Sequence, residues 1–128
     1  MRAALVQLSS SDAPDANLPR TLSFLEAAAG EGAELILTPE VTNCVSQSRA
    51  HQNLVLRNEG RDETLAACRD FARARGVWLL IGSLALKPDA DESAGGDGRF
   101  VNRSFLIEPS GGIVARYDKI HMFDVTVS

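Results

Sequence analysis

The stretch Gly-Ala-Glu-Leu-Ile-Leu-Thr-Pro-Glu, at residues 32–40, carries the clearest sign of the fold. Three consecutive aliphatic residues at its centre predict a short strand over residues 34–38 that is covered on both faces. Pro39 ends this strand because proline has no N–H to donate to a sheet ladder. Glu40 is therefore expected just past the carboxyl end of a buried strand, and functional side chains of α/β sheets gather at that edge.

Helical patterns lie on both sides of this strand in the sequence. Before it, apolar residues recur at steps of four, three and four from residue 18 to residue 29, which predicts a helix. We expect Asn17 to be its N-cap and Pro19 to lie in its first turn. After it, residues 63–75 carry a second apolar stripe that predicts another helix. Residues 41–60 lack a clear period and are interpreted as a loop with one short helix near residues 46–53.

Four further apolar runs predict strands, over residues 3–8, 77–84, 100–108 and 113–117. The turn-forming residues 109–112 join the last two runs, which favours an antiparallel hairpin. The element order is then β-α-β-α-β-β-β. This order predicts an α/β fold in which helices pack on a mixed β-sheet.

Residues 87–99 are polar and rich in glycine. Such a composition packs poorly, so we expect this segment to be a surface loop.

The composition limits the classes of function. With 128 residues, 45% of them hydrophobic, the chain has the size of one compact domain. A net charge of −4 argues against a sequence-independent nucleic-acid surface or an anionic-membrane surface, because both require clustered Lys and Arg. No apolar run approaches the roughly 20 residues that cross a bilayer. Two cysteines without a C-x-x-C pattern predict neither a disulfide framework nor a metal site, and they suit a reducing cytoplasm.

Lys119 is the second candidate site residue, in Tyr-Asp-Lys-Ile-His-Met-Phe-Asp at residues 117–124. It follows the predicted hairpin, where an ammonium group can stabilise a developing oxyanion. The ordinary alternative for Lys119, as for Glu40, is a solvated surface charge. His121 in the same block is a candidate acid–base group, although a histidine in a partly apolar run is more often a packed or hydrogen-bonded residue.

The two cysteines are weaker candidates. Cys44 lies four residues after Glu40, but closeness along a loop does not set the geometry that activates a thiol. Cys68 lies on the apolar stripe of a predicted helix, which favours a packing role over a reactive one. Phosphate-binding glycine motifs are absent from the sequence, which disfavours nucleotide binding.

In order along the chain, these pieces resemble the N-terminal half of the nitrilase superfamily of carbon-nitrogen hydrolases. The resemblance covers nearly the whole chain and rests on residues 3–8, 17–18, 32–40, 76–83, Asn102 and 112–124. Its specific part is the combination of Pro-Glu after the second strand with Tyr-x-Lys-x-His-x-Phe-Asp far downstream.

The resemblance implies the N-terminal portion of a four-layer α-β-β-α sandwich and a Cys-Glu-Lys catalytic set. By motif, Glu40 would be the general base that takes the thiol proton, and Lys119 would help to hold the oxyanion of the tetrahedral intermediate. The implied reaction is acyl transfer, in which a thiolate attacks an amide or nitrile carbon and water later hydrolyses the thioester. Residues 40–43 and the Phe-Asp ending are most similar to the omega-amidase branch, which acts on small carboxamides. No cofactor and no metal is implied.

The family's nucleophilic cysteine lies beyond the lysine block. Residues 1–128 are therefore expected to be an incomplete carbon-nitrogen hydrolase domain that is inactive alone and leaves apolar sheet surface uncovered. The complete protein is expected to be a cytoplasmic homo-oligomer that acts on a small-molecule amide or nitrile. Two alternatives stay open. One is a non-catalytic α/β binding or scaffold domain, and the other is a different activity of the superfamily, such as a nitrilase, a carbamoyl-amide hydrolase or an N-acyltransferase.

Overall fold

The computed structural model describes residues 1–88 and 100–119. In chain order the elements of these two ranges are β1 (Ala3–Leu5), α1 (Pro14–Gly30), β2 (Leu35–Thr38), α2 (Arg49–Val55), α3 (Glu63–Arg75), β3 (Trp78–Leu86), β4 (Val101–Ile107) and β5 (Ile113–Asp118). A single 3₁₀ turn, Glu59–Arg61, precedes α3. None of the helices within these ranges is both long enough and apolar enough to cross a membrane.

The strands form one mixed sheet in the order β1-β2-β3-β4-β5. β1, β2 and β3 are mutually parallel, whereas β4 is antiparallel to both β3 and β5. The α/β fold with a mixed sheet and packed helices is thus confirmed, as is the hairpin of β4 and β5. Because β5 runs in the same direction as β2, both strands end at the same edge of the sheet. Glu40 and Lys119 therefore emerge at one edge, although β3 and β4 separate their strands.

One face of the sheet forms the core with α1 and α3. Its strand residues alternate in the expected way and are almost completely shielded from solvent, and burying each such side chain contributes about 1.5–3 kcal/mol relative to leaving it exposed. The buried strand residues are Ile36, Leu79, Ile81, Leu84, Leu86, Phe105 and Ile107, and the helices contribute Leu25, Ala28, Leu65, Cys68, Phe71 and Ala72. This cluster holds the two helices against the sheet.

The opposite face of the sheet is apolar but open. The strand register places Leu5, Leu37, Leu80, Leu106 and Ala115 in one row that crosses all five strands. Leu5 is 72% exposed, and the other three leucines of this row are half-buried. An apolar row of this length in contact with solvent is typical of a surface that another part of a protein covers. We call this face, defined by the five residues of the row, the open face.

The first helix differs from the sequence prediction at its start. It begins at Pro14 rather than near residue 17, because proline at the first helical position loses no hydrogen bond. Ala13 is the N-cap, so the prediction that Asn17 caps the helix is wrong. Asn17 is buried inside the helix, where its amide group binds the backbone of Ser11 and the carbonyl oxygen of Asn43. Pro19 also lies inside the helix instead of in its first turn.

Other boundaries shift by a few residues. β1 is shorter than the predicted run over residues 3–8, and β3 extends two residues past the predicted end at residue 84. α3 has its predicted bounds, with Asp62 as N-cap and Gly76 as a left-handed C-cap. Most of the predicted surface loop over residues 87–99 lies outside the described residues.

Candidate active site

The structure brings the two candidate residues into contact. Lys119 Nζ donates a hydrogen bond to Glu40 Oε1, although the residues are 79 positions apart in the sequence. The Glu40 side chain is 50% exposed and that of Lys119 is 26% exposed. The pair therefore lies at the surface of the sheet edge, where solvent reaches both side chains.

Lys119 is held by the end of the β4–β5 ladder. Its backbone N–H donates to the carbonyl oxygen of Asn102 at 3.0 Å, which extends the ladder one residue beyond β5. The residue before it, Asp118, accepts two hydrogen bonds from Arg103, one from Nε at 2.5 Å and one from the second guanidinium nitrogen at 2.9 Å. Such a bidentate pair has a defined geometry, so it fixes the backbone from which Lys119 extends.

Arg103 belongs to a charged cluster that the sequence interpretation missed. Its remaining terminal nitrogen donates to Glu59 at 3.1 Å, and Glu59 also accepts from Arg116 at 2.8 Å. The hydrogen bond from Arg103 lowers the pKa of Asp118, and hydrogen bonds from Arg116 and Arg103 lower the pKa of Glu59. Together with Tyr117 these residues line an open cavity of about 450 Å³.

A signal for this cluster was present in the sequence. Residues 103, 105 and 107 share one face of a strand, and Phe105 and Ile107 are buried on it. Arg103, the charged residue on the same face, must therefore find partners, because an unpaired buried charge is costly. The sequence does not identify those partners, since Glu59 is 44 positions away from Arg103.

Glu40 reaches Lys119 because the chain that leaves β2 passes over β3 at Gly82. β3 has an irregular register between Ile81 and Leu84, and Gly82 lies in this bulge. A Cβ atom on Gly82 would lie 2.4 Å from the Thr38 carbonyl oxygen and 2.6 Å from the carbonyl carbon and oxygen of Pro39. Only glycine permits so close an approach of the two backbones. The loop is thereby directed from β2 towards β4 and β5.

Further hydrogen bonds tie this loop to neighbouring strands. The side-chain amide of Asn43 pairs with the backbone of Ala85 in β3, accepting from its N–H at 2.8 Å and donating to its carbonyl oxygen at 2.8 Å. Ser104 of β4 donates its hydroxyl hydrogen to the carbonyl oxygen of Gly82 at 2.6 Å. Glu40 is therefore part of a closed, hydrogen-bonded loop and not of a free surface segment.

Neither cysteine of the chain is suited to act as a nucleophile. Cys68 is completely buried in the core, and its burial raises the pKa of its thiol to about 12. The prediction that Cys68 has a packing role is confirmed. Cys44 is also buried and donates to the carbonyl oxygen of Asp12, and burial followed by the charge of Asp12 raises its pKa. Because the thiolate is the reactive form, both shifts lower the reactivity of these cysteines.

A further candidate of the sequence interpretation, His121, lies outside the described residues. Within residues 1–88 and 100–119, no group of three His, Cys, Asp or Glu side chains is arranged to hold a metal ion.

Comparison with known proteins gives one family. The sequence model of the carbon-nitrogen hydrolases matches residues 2–128. The omega-amidase of Homo sapiens is 29% identical over 126 residues, which cover 98% of this chain and 42% of the human protein. The chain thus spans about two fifths of the length of this curated relative.

Solved structures show the same fold. The NitFhit protein of C. elegans superimposes with a TM-score of 0.80 at 24% identity, over 98% of this chain and 29% of that one. An amidase from Nesterenkonia sp. AN1, with a cysteine replaced by alanine and in complex with butyramide, superimposes with a TM-score of 0.75 at 27% identity. That match covers 96% of this chain and 44% of the amidase.

Proposed function

Because this chain belongs to the carbon-nitrogen hydrolase family, we propose that it forms the N-terminal part of an amidase whose active site includes Glu40 and Lys119. The contact between Lys119 Nζ and Glu40 Oε1 is the observation that carries this proposal. A general base and an oxyanion donor must meet at one reacting centre, and these two residues meet although they follow different strands.

The proposed reaction uses a cysteine that this chain does not contain. Glu40 takes the proton of the cysteine thiol, and the thiolate attacks the carbonyl carbon of an amide. Lys119 donates to the oxygen that becomes negative in the tetrahedral intermediate, a contribution of about 3 kcal/mol for one such donor. Glu40 then gives the proton to the departing amine, and a thioester remains. Water, activated by Glu40, hydrolyses the thioester to a carboxylic acid and restores the thiol.

Small carboxamides are the proposed substrates. The related human protein is an omega-amidase, and the similar Nesterenkonia amidase was crystallised with butyramide.

The rest of the protein is proposed to supply two missing parts. The first is the nucleophile, since Cys44 and Cys68 are both buried and have raised pKa values. The second is a further sheet that covers the open face and completes a four-layer α-β-β-α sandwich. The exposed row of leucines supports this arrangement, because its burial would stabilise the complete domain. We also propose a homo-oligomer in the cytoplasm, where the two free thiols stay reduced.

The test is ammonia release from butyramide by the full-length protein. We expect Glu40→Gln and Lys119→Met each to lower kcat by about 100-fold to 1,000-fold. Glu26→Gln is the matched control, because Glu26 is another half-exposed carboxylate in an ion pair, with Arg75 at 2.6 Å. It is expected to leave kcat unchanged.

Two outcomes would contradict the proposal. If Glu40→Gln kept the activity of the Glu26→Gln control, Glu40 would not be the base. If the full-length protein hydrolysed no small amide or nitrile, a binding or scaffold role would replace the enzymatic one. A Cys44→Ser variant is expected to keep its activity and its inactivation by iodoacetamide, because the reactive cysteine lies outside this chain.

A further inference from the structure

The residue after Glu40 has an unusual backbone conformation. Val41 has a φ of 45°, the one positive value at a non-glycine residue in the described part of the chain. A side chain that branches at Cβ rarely adopts this left-handed conformation, because Cβ then lies too close to the backbone. Such strain persists only where neighbouring groups hold it, and it clusters at functional sites.

Ser83 is the group that holds Val41. The Ser83 hydroxyl oxygen accepts a hydrogen bond from the Val41 N–H at 2.8 Å, and the Ser83 carbonyl oxygen accepts one from the Thr42 N–H at 3.0 Å. Ser83 thus binds two successive amides of the loop, one through its side chain and one through its backbone. It is completely buried and lies in the bulge of β3, where the ladder leaves its hydroxyl and carbonyl groups available to the loop.

The loop is closed on its other side by two threonines. The Thr42 hydroxyl donates to the Pro39 carbonyl oxygen at 2.6 Å and lies 3.0 Å from the Thr38 hydroxyl oxygen. The Thr38 hydroxyl oxygen accepts from the Gly82 N–H at 3.3 Å. Glu40 is therefore at the tip of a turn whose two arms are fixed on β3, and its carboxylate can reach Lys119 only while both arms hold.

We propose that Ser83 is a positioning residue for Glu40: its hydroxyl keeps Val41 in the left-handed conformation and so keeps the Glu40 carboxylate at Lys119. This inference rests on the proposed function, since it assigns Ser83 a part in the reaction of Glu40. Ser83 acts through the loop, because its side chain is buried beneath it and has no exposed surface.

A kinetic double-mutant cycle in the full-length protein tests this role. Ser83→Ala is expected to lower kcat for butyramide by about 10-fold to 100-fold, as for a displaced catalytic group, while KM changes by less than about threefold. Glycine adopts a positive φ without strain, so a glycine at position 41 keeps the left-handed conformation without the Ser83 hydroxyl. In the Val41→Gly background, Ser83→Ala is therefore expected to lower kcat by less than about threefold.

Ser48→Ala is the matched control for loss of stability. The Ser48 hydroxyl also accepts a backbone N–H, that of His51 at 3.2 Å, but it caps α2 and not the loop of Glu40. Ser48→Ala is expected to lower the melting temperature and to leave kcat unchanged. If Ser83→Ala does not fold, Ser83→Cys replaces it, since a thiol is a weaker acceptor of similar size. The same loss of kcat and the same rescue by Val41→Gly are then expected.

The outcomes separate this inference from the proposed function. If Glu40→Gln keeps full activity, the proposed function fails. If Glu40→Gln abolishes activity while the Ser83 variant keeps the kcat of the wild type, Ser83 is not a positioning residue. The inference would also be overturned if Ser83→Ala lowered kcat equally in the wild-type and Val41→Gly backgrounds. Ser83 would then act on something other than the backbone of residue 41.

Discussion

A single methyl group at Gly82 should uncouple Glu40 from Lys119. The added Cβ of Gly82→Ala would lie 2.4 Å from the Thr38 carbonyl oxygen, whereas real Cβ atoms stay at least 3.0 Å from their neighbours. The atoms in the way belong to the backbone of Thr38 and Pro39, so no side chain can rotate aside. The loop itself has to move outwards, by about 0.6 Å to relieve the overlap and by about 1 Å to reach an ordinary van der Waals contact.

This displacement sets the size of the expected effect. A shift of about 1 Å in a catalytic group lowers a reaction rate by about 100-fold. The overlap also costs stability, by about 1–3 kcal/mol for an overpacked site. Gly82→Ala is therefore expected to lower kcat by about 100-fold and to lower the free energy of unfolding, with a much smaller change in KM.

The assay is ammonia release from butyramide by the full-length protein, combined with urea denaturation. Gly30→Ala is the matched control, because a Cβ at Gly30, the last residue of α1, would meet no atom within 4 Å. The control is expected to keep its kcat and to gain about 0.5–1 kcal/mol of stability. Should Gly82→Ala keep the kcat of Gly30→Ala, the position of Glu40 would not depend on the crossing at Gly82, and the reasoning would be refuted.

Two further predictions concern stability. Hydrogen bonds from Arg103 lower the pKa of Asp118 below its unfolded value of 3.8. Hydrogen bonds from Arg116 and Arg103 likewise lower the pKa of Glu59 below its unfolded value of 4.5. The native state therefore binds fewer protons in acid than the unfolded chain does. The stability that these carboxylates contribute is present above the unfolded pKa values and is lost as the pH falls through the lower native ones. The free energy of unfolding, measured by urea denaturation, is therefore expected to decline from about pH 5 downwards. Arg103→Met is expected to make this decline shallower. The Asp62 carboxylate caps α3 by accepting a hydrogen bond from the Leu65 N–H at 2.7 Å, although burial raises its pKa. Because Asp62→Ala removes this cap, it is expected to lower the free energy of unfolding by about 1 kcal/mol. Asp62→Asn keeps a capping oxygen without the charge and is expected to lose less stability. If thermal denaturation showed that Asp62→Asn loses as much stability as Asp62→Ala, the capping role would be contradicted.

Much of the fold was predictable because its signals are local. The apolar run at residues 35–37 and the Pro39 that follows it define β2 and its end. The stripe of α3, with a cap at each end, defines that helix to the residue. Where the prediction was wrong, a tertiary contact decided the outcome. Asn17 is a good N-cap by type, but its amide is used instead to join two loops, which only the folded chain brings together.

The sequence by itself determined the order of the elements, the two helices of the core and the choice of Glu40 and Lys119 as candidates. Periodicity and turn residues carry this information within a few positions of each other. The tertiary structure decided which of these residues meet. The contact of Glu40 with Lys119 depends on the order of five strands, on a bulge at Gly82 and on the conformation of Val41. Each of these arises from contacts between residues far apart in the chain, and no local pattern encodes such contacts.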